Sequence, residues 1–99
     1  MRIPKSTKVG PMIYETIRAD HLSAGPNLLY GQCDSENGKI YMQKCMDKKK
    51  EELVYFHELL HGIAHTYGID GLSEETIKIL APVLLDVLEC NKMLKKDKK

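Results

Sequence analysis

The stretch His57-Glu58-Leu59-Leu60-His61 constrains this chain more than any other. On a helix of 3.6 residues per turn, histidines at this spacing lie about 40° apart around the axis and about 6 Å along it. Both imidazoles therefore reach one ion. Zinc takes imidazole nitrogen at about 2.0–2.1 Å, and a catalytic site supplies three protein ligands and leaves the fourth position to water. Glu58 follows the first histidine, where its carboxylate reaches that water without occupying the ion. Such an arrangement suits metal-assisted hydrolysis, in which the ion acidifies the water and the carboxylate takes its proton and returns it to the leaving amine. With His at roughly 2% and Glu at roughly 6% of residues, a chance match in a chain of this length has a probability of about 0.2%, so context decides.

The context is helical. From Lys48 to Tyr67, the residues Leu53, Phe56, Leu60, Ile63 and Tyr67 recur at helical spacing, and His57 and His61 flank that stripe. The plain alternative is a pair of histidines at the edge of a core, which would have no need of a carboxylate beside the first. Asp47 is the expected N-cap and Gly68 the left-handed stop. Lys48, Lys49 and Lys50 oppose the helix dipole and read as a solvated edge. After a short link, Ser73 caps a second helix from Glu74 to about Asn91, with an expected apolar stripe of Ile77, Leu80, Ala81, Leu84, Val87 and Leu88. Pro82 falls inside it and is expected to bend it.

The chain has 99 residues, enough for one modest core, so residues 1–92 are read as a single domain and 93–99 as a basic, disordered, solubilising tail. No apolar run approaches the roughly 20 residues that span a bilayer, and Met1-Arg2-Ile3-Pro4-Lys5 has no signal-peptide core; a cytoplasmic protein is expected, without a membrane partner. Cys33, Cys45 and Cys90, odd in number and widely spaced, fit reduced thiols better than a disulfide framework or a thiolate zinc site. A net charge of +1 gives no global pull toward nucleic acid.

Ahead of the helices the pattern is β. Residues 1–5 are expected to fray; Ser6–Val9 and Met12–Ile17 read as strands around Gly10-Pro11, and Asp20–Asn27 as a polar surface connection. Leu28–Cys33 and Lys39–Lys44 read as a hairpin closed by Asp34-Ser35-Glu36-Asn37-Gly38, since Asn-Gly accepts positive φ. In the second arm Ile40 and Met42 alternate with Tyr41 and Gln43, so one face should be buried and the other exposed.

Two histidines need a third donor. His65 is four residues past His61, but a straight helix sets it about 12 Å along the axis from His57. Three-histidine sites on such a helix break it with a glycine three residues after the second histidine and place the third histidine three residues further; here those positions hold Ala64 and Tyr67. The second helix offers carboxylates instead. Carrying its stripe backwards brings Glu74 onto the face that packs on the first helix, whereas Glu75 points about 100° away. Both acidic residues also serve the helix dipole, so Glu74, Glu75 and His65 all stand as candidates, with Glu74 first.

The runs Tyr30-Gly31-Gln32-Cys33-Asp34, the Ile40 strand, His57 through Ile63, and Leu72-Ser73-Glu74 with Ile77 and Leu80-Ala81 together resemble small ImmA/IrrE-like metallopeptidases, many of them encoded by phages and mobile elements of bacteria. The opening Ile3-Pro4-Lys5-Ser6 is similar to their start as well. The resemblance implies Zn2+ held by His57, His61 and Glu74, with Glu58 as general base in peptide-bond hydrolysis. It also implies an α+β minimal zincin fold: a small antiparallel sheet of about three strands packed on two helices, with the site between the helices and an edge strand. Lys39–Lys44 is the expected edge, where an extended protein or peptide substrate adds main chain to main chain. Against the larger members of that family, the chain is expected to lack the accessory DNA-binding or sensor domain. A competing reading is a zinc-stabilised, non-catalytic protein-binding module, although structural zinc is usually closed by four protein ligands. The ligand types favour zinc, and the same set also describes non-haem iron sites.

Overall fold

The computed structural model describes residues 1–20, 22–24, 27–28 and 30–94. The expected tail, 95–99, lies outside the described residues. In chain order come β1 (Ser6–Val9), β2 (Met12–Ala19), β3 (Ser23–Ala24), β4 (Asn27–Leu28), β5 (Gly31–Asp34), β6 (Lys39–Gln43), α1 (Lys48–Tyr67) and α2 (Glu74–Cys90). The fold is α+β.

The main sheet has four strands in the order β1-β2-β6-β5 and is mixed, which corrects the expected antiparallel sheet of about three strands. Hairpins join β1 to β2 and β5 to β6, but β6 also runs parallel to β2, with Thr16 opposite Ile40 and Arg18 opposite Met42. Alternation along a strand says which face is buried and not which strand lies beside it. The edge assignment is corrected for the same reason. The strand at Lys39–Gln43 is central, with Ile40 and Met42 fully buried and Tyr41 and Gln43 half-buried, and β5 forms the edge instead.

Gly38 takes the left-handed conformation in the β5–β6 turn, at φ 64°, whereas its neighbour Asn37 donates from Nδ2 and from its backbone N–H to the Asp34 carboxylate at 2.8 and 3.3 Å. The expected strand from Leu28 is shorter than predicted. Leu28 pairs instead with Ser23 in the small β3–β4 ladder, whose other residues lie in the expected connection Asp20–Asn27, and β5 starts at Gly31. The expected fraying of residues 1–5 is also overturned. Ile3 is buried, the Met1 amino group pairs with the buried carboxylate of Glu52, and Lys5 O accepts from Thr16 N at 2.9 Å.

Both helices start and stop on their caps. Asp47 Oδ1 accepts from Lys50 N at 2.9 Å, Gly68 closes α1 at φ 64°, and Ser73 Oγ accepts from Thr76 N at 3.2 Å. Their buried faces differ from the expected stripes. α1 packs on β1, β5 and β6 as well as on α2, so it buries Tyr55, Phe56 and Leu60 on a wide arc and leaves Leu53 and Tyr67 exposed. α2 buries Ile77, Ala81 and Leu85, while Leu80 and Val87 face outward, because the helix is turned toward Leu85 rather than along the centre of its apolar residues. Pro82 lies inside α2. No helix among the described residues is long and apolar enough to cross a membrane.

Candidate metal centre

α1 carries His57 and His61 on its α2-facing side, and their ring centroids stand 5.1 Å apart, as one helical turn dictates. Glu74, the first residue of α2, reaches back across the inter-helix gap. Its Oε1 lies 2.9 Å from His57 Nε2 and its Oε2 lies 2.6 Å from His61 Nε2. One donor atom from each of the three residues falls within 4.8 Å of the other two, which makes them a possible metal-binding group. The serine cap positions this carboxylate: Ser73 starts α2 one residue earlier and so fixes where Glu74 leaves the backbone.

The donor set fits a divalent ion. Bonds of about 2.0–2.1 Å in a tetrahedral shell place neighbouring donors roughly 3.3 Å apart. The observed 2.6 and 2.9 Å contacts are hydrogen-bonded spacings, so holding an ion would require the Glu74 carboxylate to draw back from both imidazoles. His57 and His61 are half-buried and Glu74 is about half exposed, so one side of the group is open to solvent. Of the other candidates, Glu75 is exposed and outside the group, and His65 is exposed and lines the adjoining cleft without joining the group.

Glu58 occupies a different environment from its neighbours. It is 9% exposed and makes no hydrogen bond or ion pair among the described residues. Burial, together with the charge of Glu74, pushes its carboxyl up to about 7. Glu74 moves the other way: burial raises it, but the charges of His57 and His61 and their hydrogen bonds outweigh that and hold it below the usual carboxylate range. Two carboxylates on one site thus differ in proton affinity because one is enclosed and the other is held between imidazoles. Cys33 lines the same cleft as His61 and Glu58, and its thiol is pushed up, chiefly by burial. A protonated thiol is a poor zinc ligand.

Gly31, which the sequence reading quoted without giving it a role, sets how close β5 comes to α1. A Cβ there would stand 2.5 Å from Val54 Cγ1 and 3.0 Å from Glu58 Cγ. The available signal was a glycine inside a β run, which often marks a close backbone approach. Gly31→Ala is expected to cost about 1–3 kcal/mol in urea denaturation, because the stiff Val54 side chain cannot move aside. Gly71→Ala, with open space around its Cβ, should change stability by no more than about 0.5 kcal/mol. Equal losses in the two variants would contradict the close-approach account.

The chain matches no family model, no curated protein and no solved structure.

Proposed function

We propose that this protein is a zinc-dependent metallopeptidase of the ImmA/IrrE-like kind. The observation that carries the reading is the convergence of His57, His61 and Glu74 from two helices beside a buried carboxylate, Glu58, that is not itself part of the group. Zinc in this position supplies a Lewis acid that makes water acidic near neutral pH. Glu58 then takes the proton from the attacking water and delivers it to the leaving amine nitrogen. His57, His61 and Glu74 would hold the ion, on a side of the group that is open to solvent. Among the described residues β5 is the edge of the sheet beside the site, and Gly31, Gln32 and Cys33 line the cleft that contains His57, Glu58 and His61. An extended peptide pairing with that edge would run its main chain past His57, Glu58 and His61.

The binding-module reading gains less support. A structural zinc usually has four protein ligands, and the group found among the described residues has three. Zinc titrated into the metal-free protein should bind at one equivalent. Glu74→Gln is expected to weaken that binding at least about tenfold, because an amide oxygen replaces an anionic ligand, whereas Glu75→Gln should leave it unchanged. The reverse ranking would move the ligand by one position. A loss confined to His65→Ala would favour three histidines.

A further inference from the structure

The cleft on the α2 side of the metal group has a chemistry that hydrolysis alone does not use. It encloses about 580 Å³ between α1 and α2, and Tyr30, Leu53, Val54 and Pro82 give it apolar walls. Lys78 is the only lysine or arginine among its described lining residues. The helical spacing orders these groups along the cleft. On α1, Leu53 and Val54 sit one turn from His57 and Glu58; on α2, Lys78 sits one turn and Pro82 two turns from Glu74. Moving away from the metal group, the cleft therefore presents Lys78 and the apolar Leu53 and Val54 at about the same level, roughly 6 Å along the helices, with Pro82 one turn beyond.

Lys50 Nζ stands 3.3 Å from the centroid of the Tyr30 ring, a cation–π contact on a side chain that is 46% exposed. Lys49, farther along the same inter-helix groove, is already tied to Glu89 at 2.7 Å. Lys78 makes no ion pair or hydrogen bond among the described residues, so its charge is available to a ligand.

We propose that this cleft is the specificity site of the metallopeptidase reading, on which the assignment rests. It takes an apolar side chain of the peptide and pairs a peptide carboxylate with Lys78 Nζ. The carboxylate comes from a neighbouring acidic side chain or from a free C-terminus; 6 Å is about two residues of extended chain, so it lies within two residues of the scissile bond. A dication beside Glu58 and Glu74 would offset their repulsion of such a carboxylate, so zinc should strengthen its binding.

Four probes test this on the zinc-loaded protein by amide NMR titration: N-acetyl-Leu-Asp-amide and its Asn counterpart, and N-acetyl-leucine with a free carboxylate and its amide. At least one carboxylate probe should bind about three- to fivefold tighter than its neutral partner and shift the Leu53 and Val54 amides. The pair that shows the preference identifies the source of the carboxylate. Lys78→Met should remove the preference and Lys78→Glu reverse it, both with zinc stoichiometry unchanged. Equal affinities within both pairs, a preference that survives Lys78→Met, or no binding by any probe would overturn the assignment. Hydrolysis of peptides without any carboxylate preference would remove this inference and leave the metallopeptidase reading standing. A Lys78-dependent preference without hydrolysis would keep the cleft as a carboxylate-peptide site and remove the catalysis.

Discussion

His57→Ala and His61→Ala are each expected to hold less than about one-tenth of an equivalent of zinc after dialysis, where the wild type holds one. Removing either imidazole leaves one nitrogen and one carboxylate, and two donors do not retain zinc against water. Stability should report the same loss. A ligand that binds only the folded state at 100 times its Kd contributes about 2.7 kcal/mol, which for a domain of this size raises the unfolding midpoint by roughly 10–20 °C. Added zinc should therefore shift the wild type and leave both variants in place. Without zinc the three proteins should lie within about 1–2 kcal/mol of one another, since each histidine gives up only a partly exposed hydrogen bond to Glu74. Stoichiometric zinc in either variant would contradict the ligand assignment.

Glu58→Gln is expected to keep zinc and lose hydrolysis, by a factor of about 10²–10⁴, because an amide holds the shape of the site and cannot accept the proton. The same substitution has a second, pH-dependent signature in the metal-free protein. Glu58 has its carboxyl raised from 4.5 to about 7 in the folded state, so the folded chain binds its proton more tightly than the unfolded chain does. Stability from this group is full below about 4.5, falls as pH rises through the window, and is lost above about 7. At 1.36 kcal/mol per pH unit of difference, the buried charge costs on the order of 3 kcal/mol at pH 8. Glutamine carries no charge, so urea denaturation of the zinc-free proteins should show the variant more stable than wild type at pH 8 and not at pH 4.5. A pH-independent difference would mean that Glu58 is not enclosed as described.

What was legible in the chain was local. Asp47, Gly68 and Ser73 act on their own helix ends, and all three caps lie where the sequence puts them. Glu74 was reachable because its phase on α2 follows from helical geometry, and the structure brings it to both histidines. What was missed depends on distant partners. The parallel pairing of β2 with β6 leaves no mark on either strand, so the sheet's order and its true edge, β5, could not be read. The anchoring of Met1 on Glu52, 51 residues away, is equally invisible. The stripe of α1 misled because the helix is covered by the sheet and by α2 together, and a single apolar period describes only one such neighbour. The cleft beside the metal group joins a lysine and a proline of α2 to a tyrosine and two aliphatic residues of distant segments, and no single window of sequence contains it.

The most direct measurement of the central claim is zinc-dependent release of peptides. Chelator-treated protein is added to a bacterial extract with and without one equivalent of zinc, and new peptide termini are counted by mass spectrometry. The account predicts a reproducible set of new termini that appears only with zinc. An unchanged extract in the presence of protein carrying one equivalent of zinc would contradict it.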